Sequence, residues 1–417
     1  MEPLPDIKEK LFINKQNNTI KGRDIVIIGL QPWYYEIGSN CKTIATYFSQ
    51  HNRVLYVNLP INRKTFFSNQ KNKGVQQHCD IIKKHDDKLR PVKQNLWQFY
   101  PSAIMESINW LPSTSLFKTI DYFNNRRFAK NIRQAIQQLN FKDIILFNDN
   151  DIYNGLYLKE LLAPSLYIYY CRDFLQGYDY WKKHCSVIEP QLIKKADVVL
   201  TNSTYYSDYC SKYNSKSFYI GQGCDFKLFD ADKKYAAPED INHISNPIIG
   251  YVGSLDSARL DEKIIQLIAE KNHNWSIVLV GPEDDNFKES DLHKMKNVYF
   301  IGRKPLHELP DYINAFDVCI NPQFLNEITL GNYPLKIDEY LAMGKPVVAT
   351  KTKAMKLFED YVYLANNAED YPELVQKALM ENNNAKQQQR IAFAKTHSWE
   401  KSMSELYKAI SNFVYTN

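Results

Sequence analysis

No run of about 18 apolar residues occurs in this 417-residue chain, so no segment of it reads as a helix that spans a bilayer. Its first residues, MEPLPDIKEKLF, lack the charged-then-apolar pattern of a secretory leader, and the expected location is cytoplasmic, with any membrane contact peripheral. The seven cysteines, Cys41, Cys79, Cys171, Cys185, Cys210, Cys224 and Cys319, contain no CxxC pair and no zinc-like spacing with histidine. That pattern excludes a disulfide framework and predicts reduced thiols. The nine histidines offer no HExxH or similar ligand spacing, and the expectation is no metal site. No sign of charge dominates, because 52 Lys and Arg face 47 Asp and Glu, mixed along the chain, so nucleic acid is not an expected partner.

What is present is the makeup of a globular enzyme: 44% hydrophobic and 24% charged residues. The length predicts two domains of roughly 200 residues each. Apolar, β-branched runs recur at Asp24–Leu30, Arg53–Leu59, Asp143–Asn148, Ser165–Cys171 and Asp197–Ser203, each followed by a turn and a helical stretch. Strands that are apolar throughout and alternate with helices predict a parallel sheet covered on both faces. The rhythm restarts after the polar stretch Asp230–Asn246 with PIIGYVG, SIVLVGP, NVYFIG, DVCINP and KPVVAT. The predicted fold class is therefore α/β, with two Rossmann-like, doubly wound domains facing a cleft that holds the active site. The boundaries predicted are 1–229, a linker at 230–246, 247–395, and a last helix at 396–417. That helix carries an apolar face (Trp399, Met403, Leu406, Tyr407, Ile410, Phe413) that suits a return to the first domain.

The most informative segment is PLKIDEYLAMGKPVVAT, Pro334 to Thr350. Pro334 suits a first helical turn, Gly344 suits the stop, and KPVVAT reads as a buried strand. Lys336 and Glu339, three apart, share a helix face. A lysine beside the free amides and positive dipole end of a helix makes an anion site suited to a diphosphate. A glutamate one turn on can accept both hydroxyls of a ribose. The alternative for such a pair is a solvated surface contact.

From about Pro247 to Thr350 the chain resembles the donor-binding domain of the retaining GT-B glycosyltransferases of bacterial surface-polysaccharide assembly, including the teichuronic-acid branch. The matching pieces are GYVGSL at Gly250–Leu255, LVGP at Leu279–Pro282, Asn297–Pro322 and PLKIDEYLAMGKPVVAT, in the same order and spacing. The stretch IGQGCDFKLF, Ile220–Phe229, is similar to the end of the first domain in that family. The resemblance implies a GT-B fold and sugar transfer, probed by a UDP- or GDP-sugar donor, onto a glycan or lipid-linked acceptor, with no essential metal. It implies donor contacts from Gly253, Ser254, Gly281, Pro282, Arg303, Thr329, Leu335, Lys336 and Glu339, with Lys336 as the catalytic cation at the diphosphate. Gly281 alternatively serves only a tight strand-to-helix turn. One departure stands out: many relatives carry a second glutamate where this chain has Gly331, and backbone amides around Thr329 to Asn332 would then hold the sugar and phosphate.

In the first half, Gly38, Ser39 and Asn40 precede a helix-like segment and would present amides to the leaving phosphate. Trp33, Tyr34 and Tyr35 either stack on a sugar or cover the domain edge. Asp173, in YYCRDF, falls where relatives carry an acid and is a catalytic candidate for acceptor or sugar hydroxyls, the alternative being a cap or turn. The basic stretch Arg63–Lys93, with Trp97, Phe99, Tyr100 and Trp110, suits either an anionic membrane surface or an aromatic core. Asp284–Asp285, Asp86–Asp87 and Asp149–Asn150–Asp151 lack the surroundings of a metal motif. Competing readings on this fold are a sugar-nucleotide epimerase, a phosphorylase or a non-catalytic binding protein.

Overall fold

The computed structural model describes residues 13–14, 19–35, 38–68 and 72–416. The chain divides into two units, Met1–Gly221 with Met403–Asn417, and Gln222–Ser402. In the first, the five apolar runs become β1 (Asp24–Gly29), β2 (Arg53–Val57), β5 (Ile145–Asp149), β6 (Leu166–Cys171) and β7 (Val198–Thr201), and three strands outside those runs join them, β3 (Leu89–Lys93), β4 (Leu96–Phe99) and β8 (Ser217–Tyr219). They form one sheet in the order β8-β7-β6-β5-β1-β2-β4-β3. Every neighbouring pair is parallel except β3 with β4. That exception has a local cause. Only two residues separate β3 from β4, and Asn95 takes a positive φ of 60° there, which makes a tight hairpin. Pro91 is tolerated because β3 is the edge strand, where a missing N–H breaks no ladder.

The inner strands are buried along their whole length, which is why they read as continuous apolar runs rather than alternating ones. Helices α1 (Asn40–Phe48), α2 (Thr114–Gln138) and α3 (Asp179–Lys195) lie in this unit. Phe117, Phe128 and Ile132 of α2 and Ile188 and Leu192 of α3 join Val26, Leu55, Leu146 and Tyr169 in the main core.

The second unit has β9 (Ile248–Val252), β10 (Ser276–Val280), β11 (Val298–Gly302), β12 (Val318–Asn321), β13 (Val347–Thr350) and β14 (Tyr363–Ala365). Their order is β11-β10-β9-β12-β13-β14, all parallel. The polar stretch 230–246 packs onto this unit through buried Ile241 and Ile244, and Asp240 accepts from the Tyr312 hydroxyl at 2.9 Å. Helix α4 (Leu335–Ala342) follows Pro334 and gives way to Gly344, whose φ of 72° stops it. The last helix, α5 (Trp399–Thr416), runs from the second unit into the first, where Tyr407 meets Phe48 edge-on with ring centroids 6.0 Å apart. No described helix is long and apolar enough to cross a membrane.

Candidate functional site

The carboxyl end of β9 and the start of α4 border a pocket of about 440 Å³. Gly253, Ser254, Leu335, Lys336 and Glu339 all line it, together with Tyr251, Asp256 and Arg259. Two tyrosines fix this geometry. Tyr340 of α4 accepts a hydrogen bond from the Val252 amide at 2.8 Å, tying the helix to the end of β9. Tyr251 donates its hydroxyl to the Ser254 carbonyl at 3.0 Å and accepts from Lys336 Nζ at 2.5 Å. The ammonium also lies 4.1 Å from the Tyr251 ring centroid, a cation–π contact.

Lys336 and Glu339 are both half-buried and face this pocket. Burial lowers the Lys336 pKa to about 7, with Glu339 opposing the shift and Arg259 adding to it. Burial raises the Glu339 carboxyl to about 7, with Lys336 opposing and Asp338 adding. The Glu339 carboxylate takes no hydrogen bond from any described residue. A lysine short of negative partners and a glutamate short of donors are the two groups that an anion and a pair of hydroxyls would satisfy. Behind them, buried Asp338 accepts from the Tyr333 hydroxyl at 2.5 Å and pairs with His397 at 2.8 Å, which holds the Tyr333 wall of the pocket.

Gly281 serves the pocket from outside its lining. Its φ is 156°, and a Cβ there would sit 1.8 Å from the Gly253 carbonyl oxygen. The Leu255 amide donates to the Pro282 carbonyl at 2.8 Å, so Gly281 and Pro282 form a backing strip for the Gly253–Ser254 turn. Arg303 is exposed beyond β11, outside this pocket. Thr329 is buried, and its hydroxyl bonds the carbonyls of Phe324 and Asn326, so its side chain closes its own loop rather than opening onto the pocket. Glu327 is exposed and borders a different hollow beside Lys351 and Lys353. Asp284 caps a short helix and accepts from Ser257, a structural use of that acidic pair.

In the first unit Ser39 is the N-cap of α1 and accepts from the Lys42 amide at 3.2 Å, while Gly38 is exposed just before it. Asn40 bonds the Tyr170 hydroxyl. Asp173 is ion-paired with Arg172 at 2.5 Å, and Arg172 also grips the fully buried Asp149 at 2.7 Å. Tyr34 stacks on Tyr100 and Trp33 lies edge-on to Tyr56, so these aromatics cover their own domain. Phe99 and Tyr100 are buried and Trp97 packs on the core, whereas Trp110 and Phe67 are 68% and 74% exposed. All seven cysteines are buried and unpaired. Among the described residues no three His, Cys, Asp or Glu side chains gather as a metal site. Sequence reasoning missed Tyr251, Tyr340 and Arg172. A tyrosine inside an apolar strand beside a glycine turn was the available signal for the first.

The two parallel-dominated sheets match the GT-B fold of the solved structures below, and residues 246–381 match the family described as Glycosyl transferases group 1. The chain thus has the GT-B fold of a glycosyltransferase, with the group 1 match confined to residues 246–381. Among curated proteins it is similar to TuaH of Bacillus subtilis (strain 168), assigned as a teichuronic acid biosynthesis glycosyltransferase. The two are 26% identical over 241 residues, 55% of this chain and 60% of that relative's length. Among solved structures it superposes on sucrose-phosphate synthase from Thermosynechococcus elongatus with a TM-score of 0.67 and 15% identity, covering 94% of this chain and 99% of that one. Anabaena HepE, solved in complex with UDP, gives 0.63 and 14%, covering 95% and 100%.

Proposed function

We propose that this protein transfers a sugar from a nucleoside-diphosphate sugar, with UDP as the first nucleotide to test, onto a glycan or lipid-linked acceptor in bacterial cell-surface polysaccharide assembly. The observation that carries this reading is the Lys336–Glu339 pair, both groups displaced toward neutral pKa values and both facing one pocket beside a glycine turn. Lys336 and the amides at the start of α4 hold the diphosphate, and Glu339 accepts the ribose hydroxyls. The group 1 domain and the UDP-bound HepE neighbour support the donor class.

In this reading the acceptor oxygen bonds to the anomeric carbon on the face from which the diphosphate departs. The bond from that carbon to the phosphate oxygen breaks, and the acceptor proton passes to the departing phosphate, giving retention. Of the two carboxylates lining the pocket, Asp256 accepts from the Ala258 amide at 2.9 Å and Glu339 is assigned to the ribose, and this reading gives the base role to neither. Catalysis then rests on holding the reactants and stabilising the leaving charge at Lys336. The turn at Gly38, Ser39 and Asn40 and the Asp173–Arg172 pair are assigned to the acceptor and phosphate side. No step is assigned to a metal. The exposure of Phe67 and Trp110 supports a peripheral contact with a membrane that carries a lipid-linked acceptor. The test is hydrolysis or transfer from a panel of UDP- and GDP-sugars with chelator present. Turnover of one donor, reduced at least about a hundredfold in Lys336→Ala, is expected. Absence of turnover with any donor, alongside normal nucleotide binding, would favour a binding protein instead.

A further inference from the structure

A second cavity, of about 260 Å³, opens in the first unit and is not used by the donor reading. It sits where that sheet's strands end: Leu30 follows β1, Pro60 lies beyond β2, and Asp151 follows β5. Helix α2 supplies Asp121 and the start of α3 supplies Tyr180 and Trp181. Ligands of open parallel sheets collect at such strand ends.

Its polar groups are unusual for a structural void. Asp121 is 3% exposed and Asp151 fully buried, yet no described lysine or arginine pairs with either. One Asp121 oxygen accepts from Asn125 Nδ2 at 3.2 Å, and the other has no partner among the described residues. Asp151 accepts from the Asn154 amide at 3.1 Å and from its side chain at 2.9 Å, as a cap. Burial, then the Asp151 charge, pushes Asp121 up, and burial brings Asp151 to about 6. The unpartnered Asp121 oxygen is therefore available to a hydroxyl group in the cavity.

Part of the wall is aromatic. Tyr153 and Trp181 lie with ring centroids 4.5 Å apart, Tyr180 meets Trp181 edge-on at 5.0 Å, and the Tyr153 hydroxyl is fixed on the Trp181 carbonyl at 3.0 Å. Tyr180 is 53% exposed at the rim. A buried carboxyl with an unused oxygen, beside packed aromatic rings in a cavity smaller than the Lys336–Glu339 pocket, suits a single pyranose, which has hydroxyls on its edge and apolar C–H faces. We propose that this cavity is a saccharide subsite, in which one ring of the acceptor glycan lies against Tyr180 and Trp181 and hydrogen-bonds Asp121. The proposal rests on the reading that the protein glycosylates a glycan.

The experiment uses the full chain and ligand-observed NMR with methyl glycosides of glucose, galactose, mannose and their N-acetylamino forms, plus tetramethylammonium as a cation control. UDP titration runs in parallel on every sample. At least one glycoside should show saturable contact, weakened about tenfold or more in Tyr180→Ala and in Asp121→Asn, with UDP affinity unchanged. Tyr180 stands at the rim, so its variant remains a fair test if Asp121→Asn fails to fold. Glycoside binding indifferent to both variants, binding of the cation alone, or no glycoside contact in a protein that binds UDP would overturn the subsite. Variant-sensitive glycoside binding without any UDP response would leave the subsite standing and remove the donor assignment.

Discussion

Lys336 Nζ donates to the Tyr251 hydroxyl at 2.5 Å while lying 4.1 Å from the centroid of the same ring. The hydroxyl can accept because its own proton goes to the Ser254 carbonyl at 3.0 Å. A phenol is nevertheless a poor substitute for a carboxylate as the partner of a desolvated ammonium, and burial, only partly opposed by Glu339, brings the pKa to about 7. A diphosphate would supply the missing charge.

Nucleotide affinity should therefore be bell-shaped in pH. Above about 7 free Lys336 loses its proton and binding must restore it, so affinity falls as pH rises until the raised pKa of the bound state is reached. Below about 7 free Glu339 is protonated and must ionise to accept two hydroxyls, so affinity falls as pH drops. Each limb approaches about tenfold per pH unit. Calorimetry across about two pH units on either side of neutrality, corrected for the nucleotide's own titration, checks this. Lys336→Arg should flatten the alkaline limb and Glu339→Gln the acid limb. A flat profile in the parent protein would contradict the assignment of both groups.

The same shortfall carries a stability cost in the unliganded protein. Because the folded pKa of Lys336 lies below the unfolded one, the folded state binds fewer protons between about 7 and 10.5, and stability rises with pH across that window. Lys336→Met, which keeps the stem and removes the charge, should raise stability at neutral pH by about 1–2 kcal/mol while losing nucleotide binding. Thermal melting with and without UDP measures both effects.

The two glycines of the pocket should separate in mutagenesis. Gly281→Ala drives a Cβ to 1.8 Å from the Gly253 carbonyl oxygen, where only backbone can yield, and should cost about 2–4 kcal/mol. Gly253→Ala is also strained by its φ of 145°, but its Cβ meets the Lys336 ammonium at 2.7 Å and the Tyr251 hydroxyl at 3.0 Å rather than backbone, so it should cost less stability than Gly281→Ala while lowering affinity by disturbing Lys336. Denaturant unfolding and UDP titration of the two variants provide the comparison.

Arg172→Ala tests the first unit. It strips the only described cation from Asp149, whose side chain is fully buried, and should destabilise by about 3–5 kcal/mol. Arg172→Lys should recover only part of this, because one ammonium cannot replace the two-point grip that Arg172 makes on Asp149 at 2.7 and 3.2 Å. Chemical denaturation followed by circular dichroism reads both.

Those sites differ in how far the sequence exposed them. Lys336 and Glu339 are three residues apart, so one helical period reveals their shared face, and the strand-end glycines mark themselves by position. The inner parallel strands were legible because burial on both faces leaves only apolar residues in them. Tyr251 was not legible as a ligand of Lys336, since the two are 85 residues apart and a tyrosine in an apolar strand reads as core. Arg172 and Asp149, 23 residues apart, meet only because β5 and β6 are neighbours. The edge strand β3 was not legible as a strand within the basic stretch Arg63–Lys93, because Lys93, Arg90 and Pro91 hide its pairing, which comes from the Asn95 turn. The use of the Thr329 hydroxyl was not legible either, since the Phe324 and Asn326 carbonyls it bonds belong to a loop of its own.

The most direct test of the account is calorimetric titration of the full chain with UDP, without added metal, alongside Lys336→Ala and Glu339→Ala. The account predicts saturable one-site binding in the parent, weakened by about 1.5–3 kcal/mol in each variant with melting temperatures that show the fold intact. Binding of equal strength in all three proteins, or binding by none of a set of nucleoside diphosphates, would contradict it.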